Sequence, residues 1–185
     1  MKFTETKLRG AFVIEPEPVT DERGFFARTW CEREFDEHAL HARFVQCSIS
    51  FNVKRGTLRG MHYQTAPCEE VKLVRCTRGA LHDVIIDLRS DSPTFTQHVA
   101  VVLTAENRKM MYVPQGFAHG FQTLEDNSEV FYQISEFHHP DHAAGVACDD
   151  PAFGIEWPVA DRIMSERDRN LPRLRMASLR GDPER

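Results

Sequence analysis

The sequence predicts an all-β fold, a sandwich or barrel, on three observations. Short runs rich in Val, Ile, Phe and Thr follow one another from Phe12 to Glu136, turn signals separate them, and helical spacing is brief and rare. The first run covers residues 12–15. Residues 32–42 are the early helix candidate, because Phe35, Ala39 and Leu40 can share one apolar stripe among acidic and polar neighbours. Further strands are expected at 44–46, 57–64, 71–76, 81–88, 98–103 and 130–135. Their breaks hold Gly24, Gly56, Gly60, Gly79, the Asp91-Ser92-Pro93 stretch and Pro114-Gln115-Gly116. From His138 onward Pro and Asp become frequent, residues 163–168 predict a last turn, and a polar, Arg-rich tail runs from 169 to 185 with a loose end.

With 185 residues, 41% of them hydrophobic, the chain can build one domain with a real core and is short for two, so residues 1–185 are expected to form one unit. A formal charge of −5 argues against a nucleic-acid partner, which would demand a basic face. Neither a cleavable apolar leader nor a run of about 18 apolar residues is present, so export and membrane insertion are not expected. Five cysteines, at 31, 47, 68, 76 and 148, form an odd set without Cys-x-x-Cys spacing. They read as reduced thiols of a cytoplasmic protein.

Residues two apart on a strand share a face. His62 is therefore expected on the face of Leu58 and Gly60, with the glycine leaving space beside the imidazole. Lys72 shares a face with Val74 and Cys76, and Tyr132 falls between Val130 and Ile134. Three strands thus aim a His, a Lys and a Tyr at an apolar interior. An inward His or Tyr standing alone is more often a hydrogen-bonded core residue, whereas a lysine ammonium is rarely buried without a partner or ligand. The pattern predicts a polar-lined barrel cavity and leaves the reaction open. A catalytic metal is not expected: His62 is followed by Tyr63 and Gln64, so the His-x-His pair of metal-holding barrels is missing and only His119 remains of that set. His138, His139 and His142 read as a solvated loop, with a surface metal trap as the alternative.

In their order, Asp21-Glu22-Arg23-Gly24-Phe25-Phe26, Leu58-Arg59-Gly60-Met61-His62-Tyr63-Gln64, Lys72-Leu73-Val74-Arg75, residues 83–89, Ser92-Pro93-Thr94-Phe95, residues 114–121, Trp157-Pro158 and Ser165-Glu166-Arg167-Asp168 resemble the dTDP-4-dehydrorhamnose 3,5-epimerase family. The pieces are weak singly and specific as a set. The resemblance implies a cupin-type jelly roll with a few short helices, no cofactor, and a homodimer whose N-terminal strands pair across subunits. It further implies a nucleotide-diphosphate sugar as substrate, epimerised at C3, C5 or both. His62 would be the general base, oriented by Asp168; Tyr132 the acid on the opposite face of the ring; Lys72 the group near the oxygen that gains charge. Arg23 (contributed across the dimer), Arg59, His119 and Arg167 match positions that hold the diphosphate and sugar, and Gln46 and Phe26 match the region of the base.

The chemistry agrees with these assignments. A proton beside a ketone is acidic because its conjugate base is an enolate, so catalysis needs a base near neutral pKa and a donor or cation at the ketone oxygen. Inversion needs a second acid on the other face. Departures from the family pattern fall at Arg28 (commonly Glu) and Ser48 (commonly Asn), both near the expected base pocket, and at Phe137-His138 (commonly Tyr-Tyr), Ala143 (commonly Glu) and Cys148 (commonly Trp), on one rim of the expected substrate pocket. A carboxylate accepts a hydrogen bond from thymine N–H and arginine cannot, so the expected dTDP-4-dehydro-6-deoxyglucose stands beside a CDP-linked sugar. A ketoisomerase and a non-catalytic sugar-nucleotide-binding barrel are the other readings.

Overall fold

The structure, a computed structural model, describes residues 1–41 and 43–174. In chain order its elements are β1 (Lys2–Glu5), β2 (Phe12–Glu15), β3 (Val19–Asp21), β4 (Gly24–Phe26), α1 (Glu32–Glu37), β5 (Gln46–Asn52), β6 (Leu58–Gln64), β7 (Lys72–Arg78), β8 (Ala80–Asp87), β9 (His98–Thr104), β10 (Met110–Val113), β11 (Phe117–Thr123) and β12 (Ser128–Ile134). After a 3-10 turn, Pro140–His142, come β13 (Ala143–Gly145) and α2 (Glu166–Arg169). Two antiparallel sheets, β1-β2-β10-β7-β12-β5 and β13-β6-β11-β8-β9, face each other, and β3 and β4 form a separate hairpin. This is the cupin-type jelly roll. No helix among the described residues is long and apolar enough to cross a membrane.

Alternation along the strands sorts the core into layers. Between the sheets lie Val74 and Cys76 of β7, Val130 of β12, Met111 and Val113 of β10, and, from the facing sheet, Leu81, Ile85, Phe117 and Phe121. Their neighbours point the other way: Leu73, Met110 and Tyr112 cover the far side of the six-stranded sheet together with Phe35 of α1 and Leu40. Leu58, Met61, Val84, Ile86 and Ala118 back the five-stranded sheet against Phe153 and Trp157. Burying side chains of this size contributes about 1.5–3 kcal/mol each.

The early helix is shorter than its apolar stripe predicts. Ala39 takes a left-handed conformation (φ 55°), which lets the Leu40 N–H reach the Phe35 carbonyl at 2.9 Å. Phe35 and Leu40 are still buried, so packing rather than helix length places them. Residue 42 of the expected helix lies outside the described residues, as does the tail beyond 174. Of the expected 163–168 turn, Ile163 instead pairs with Thr57 in a parallel bridge, and the helical turn starts at Glu166.

A second correction concerns β6. Its register against β11 shifts, with His62 opposite His119 but Arg59 opposite Phe121. Such a bulge reverses the alternation. Arg59 and His62 therefore face inward, toward a shared cavity, while Leu58 and Met61 face outward; His62 does not share the face of Leu58. Gly60 serves the backbone, not the imidazole: at φ +137° a Cβ there would stand 2.5 Å from the Gly120 Cα.

Candidate active site

Where the inner core ends, polar side chains take over the space between the sheets. Ser48 and Ser50 of β5, Lys72 of β7 and Tyr132 of β12 come from one wall. Arg59 and His62 of β6 and His119 of β11 come from the other, with Arg167 and Asp168 of α2 beside them, around a cavity of ≈ 410 Å³. A second hollow of ≈ 230 Å³ shares His62, Lys72 and Arg167 and extends to Gln46, Glu136, His138 and Ala143. His62 and Tyr132 thus project from opposite sheets into one space.

His62 Nε2 lies 2.7 Å from Asp168 Oδ1. Asp168 is set by its helix: Ser165 caps α2 by accepting the Asp168 N–H at 3.1 Å. With Nε2–H donating to the carboxylate, Nδ1 carries the imidazole's lone pair. Burial pushes the His62 pKa below its ordinary value; the Asp168 hydrogen bond and charge oppose this, and the cations Lys72 and Arg167 reinforce it. The ring is accordingly neutral, and able to take a proton, at neutral pH. Tyr132 shifts upward, first from burial and then from the nearby Asp83 charge, with Arg59 opposing. Its hydroxyl therefore keeps its proton, as an acid must.

The cations are held in place. Arg59 Nε donates to Asn52 Oδ1 at 2.7 Å. Lys72 Nζ forms a 2.8 Å ion pair with Glu70 Oε1 and lies 3.4 Å from the His62 carbonyl. Under the cavity, His119 Nε2 meets Asp83 Oδ2 at 2.8 Å, and its ring stands edge-on to Tyr132 with centroids 6.1 Å apart. Among the described residues no three His, Cys, Asp or Glu side chains converge as a metal site would require.

Three expected binding residues lie elsewhere in this chain. Arg23 and Phe26 sit on the β3–β4 hairpin around a separate surface hollow, with Phe26 75% exposed and Arg23 bound to Asp21. Arg28 pairs with Glu34 at 3.3 Å, away from both hollows, so its change of sign does not alter the cavity wall of its own chain. Cys148 is not on the rim either; it is buried in the outer cluster with Trp157, whose indole N–H donates to the Cys148 carbonyl at 2.9 Å. Gln46 is at the rim, but its side-chain carbonyl already accepts the His138 N–H at 2.7 Å, leaving its amide N–H groups for a ligand.

Sequence reasoning missed Glu70, Asp83, Asn52 and Gln64. Asp83 had a signal: it shares strand parity with buried Leu81 and Ile85, and a carboxylate on a buried face calls for a partner. Gln64 fastens the rim, donating to the Cys68 and Phe137 carbonyls and accepting from the His139 N–H. Glu70 precedes its strand, and no periodicity marks it.

The chain matches the family model described as dTDP-4-dehydrorhamnose 3,5-epimerase over residues 5–176. It is 47% identical over 177 residues to the dTDP-4-dehydrorhamnose 3,5-epimerase of Methanothermobacter thermautotrophicus, covering 94% of this chain and 95% of that one. It superposes on the Bacillus anthracis dTDP-4-dehydrorhamnose 3,5-epimerase, solved with TDP and PPi bound, with TM-score 0.91 and 40% identity over 94% of this chain and 99% of that one. A 3'-monoepimerase from Streptomyces bikiniensis, solved with dTDP-quinovose, superposes with TM-score 0.87 and 32% identity, covering 95% and 89%. Full-length matches at these identities, on a fold whose cavity carries the expected histidine, lysine and tyrosine, decide the assignment: this chain belongs to the dTDP-4-dehydrorhamnose 3,5-epimerase family.

Proposed function

We propose that the protein is an isomerase that inverts C3 and C5 of dTDP-4-keto-6-deoxyglucose, giving dTDP-4-dehydrorhamnose, with His62 and Tyr132 as the proton-transferring pair. The observation that carries the reading is their opposition across one cavity. His62 takes the proton from the carbon beside the ketone, and the electron pair moves onto the C4 oxygen as an enolate. Lys72 stabilises that oxygen. The double bond collapses as Tyr132 delivers its proton to the other face of the same carbon. Solvent then takes the proton from His62 and reprotonates Tyr132, so the balance closes without oxidant or reductant. Asp168 orients the imidazole and stabilises its charged form. Arg59, His119 and Arg167 hold the diphosphate and sugar, and Gln46, Ser48 and His138 line the way toward the base.

Arg23 and Phe26 enter this reading through a second copy. The hairpin exposes Val19 and Phe26, and the edge strand β5 exposes Ile49, a surface suited to pairing between subunits. In the homodimer the hairpin reaches the neighbour's cavity and brings Arg23 and Phe26 to the nucleotide, with Arg28 following on the same segment. All five cysteines are free thiols, which suits the reducing cytoplasm. The whole chain acts as one domain.

The test is turnover of dTDP-4-keto-6-deoxyglucose in heavy water, with deuterium read at each carbon. Incorporation at both C3 and C5 is expected. Incorporation at C3 alone makes the protein a monoepimerase, and none at either carbon refutes the reading. CDP-4-keto-6-deoxyglucose in parallel is expected to exchange far more slowly.

A further inference from the structure

We infer that Glu70 is a positioning residue for the reaction: it holds the Lys72 ammonium so that one N–H is left facing the bound sugar. The inference rests on the assignment of Lys72 to the ketone oxygen. Lys72 and Glu70 have side chains only 13% and 7% exposed, with Nζ and Oε1 2.8 Å apart, and both line the hollow that also holds His62. An ammonium has three donors. One goes to Glu70 and a second lies 3.4 Å from the His62 carbonyl, so the third faces the cavity. Lysine's four-carbon stem is flexible; two protein contacts on its tip turn a mobile charge into a fixed donor.

The other carboxylate oxygen of Glu70 bears on the same point. Oε2 is buried with no hydrogen-bond partner among the described residues, so the ion pair with Lys72 is the one polar contact the Glu70 side chain makes among them. That contact fixes where the ammonium lies in the wall. The carboxylate also offsets the desolvated ammonium, which would otherwise stand uncompensated in a half-buried wall.

Glu70→Ala, Lys72→Ala and the double variant test this in the full-length protein, with circular dichroism and dTDP binding as folding controls. Glu70→Ala is expected to lower kcat at least about tenfold, on the scale by which misplaced donors reduce turnover, with KM changed less than about threefold. The double variant is expected to be no slower than Lys72→Ala, because a residue acting through Lys72 has nothing left to position. Glu70→Gln, which keeps the shape and one acceptor oxygen, should fall between wild type and Glu70→Ala and supplies the measurement if the alanine variant does not fold. Wild-type kcat in a folded Glu70 variant while Lys72→Ala is slow, or losses that multiply in the double variant, overturns the positioning role and leaves the epimerase reading intact. Full activity in Lys72→Ala overturns both this inference and the role given to Lys72.

Discussion

Two imidazole–carboxylate pairs sit in the same cavity wall at nearly the same distance, 2.7 Å for His62–Asp168 and 2.8 Å for His119–Asp83. Their surroundings separate them. His62 is 38% exposed, and His119 is 5% exposed. The first pair joins β6 to a four-residue helix far along the chain; the second joins adjacent strands β11 and β8, whose ladder runs through both residues. Hydrogen-bond length therefore says little about what such a pair does. Access decides it: an open ring can meet a substrate C–H and trade its proton with water, whereas a nearly sealed one is held as a fixed part of the wall, edge-on to the ring of Tyr132.

The contrast can be broken by substitution. The largest effect is expected from His62→Ala, which removes the proposed base from the open pair: turnover should fall by about 10³-fold or more, with the melting temperature shifted only slightly because the ring is part exposed. Steady-state kinetics and thermal melting read the two quantities. Asp168→Asn comes next, with kcat lower by about 10–100-fold. Its pH profile carries the sign. Asp168 holds the His62 pKa up against burial, so losing its charge lowers that pKa further. The acid limb of kcat/KM, which marks protonation of the base, should move to lower pH even as the plateau drops. A limb that moves up, or stays, would detach Asp168 from the titration of His62.

The sheet sandwich was legible because alternation survives in most strands. Val74, Cys76, Val130 and Tyr132 lie on the face that parity gives them, and Lys72 joins them at the cavity end. Parity failed at β6, where the register shift at Gly60 turns Arg59 and His62 to the same side. A bulge leaves no mark in the hydrophobic pattern, so His62 was placed rightly in the cavity for a wrong reason. Asp168 was beyond any local rule: it is 106 residues from His62, and only the ordered family motifs pointed to it. Glu70 and Asn52 act on side chains of other strands, and pairings of that kind arise from packing, which a single sequence does not display. Arg23 and Phe26 were legible as a motif, but within one chain they lie on the β3–β4 hairpin around a separate hollow.

The smallest effect on turnover is expected at the sealed pair, and there it should be stability that suffers. Asp83 is fully buried, its Oδ2 accepts from His119, and its Oδ1 has no partner among the described residues. Asp83→Ala strips the buried His119 N–H of its acceptor and leaves a void beside it. The loss should be about 1–3 kcal/mol of folding free energy, read as a lower midpoint in urea. Turnover should stay within about tenfold of wild type, since the proposed base, the proposed acid and Lys72 all remain; the Asp83 charge also helps keep Tyr132 protonated, but burial is the larger cause. One pair would then lose rate and keep stability while the other does the reverse. An Asp83→Ala protein with an unchanged midpoint and a rate as low as that of His62→Ala would put both pairs in the same role, and exposure would no longer tell a reagent from a brace.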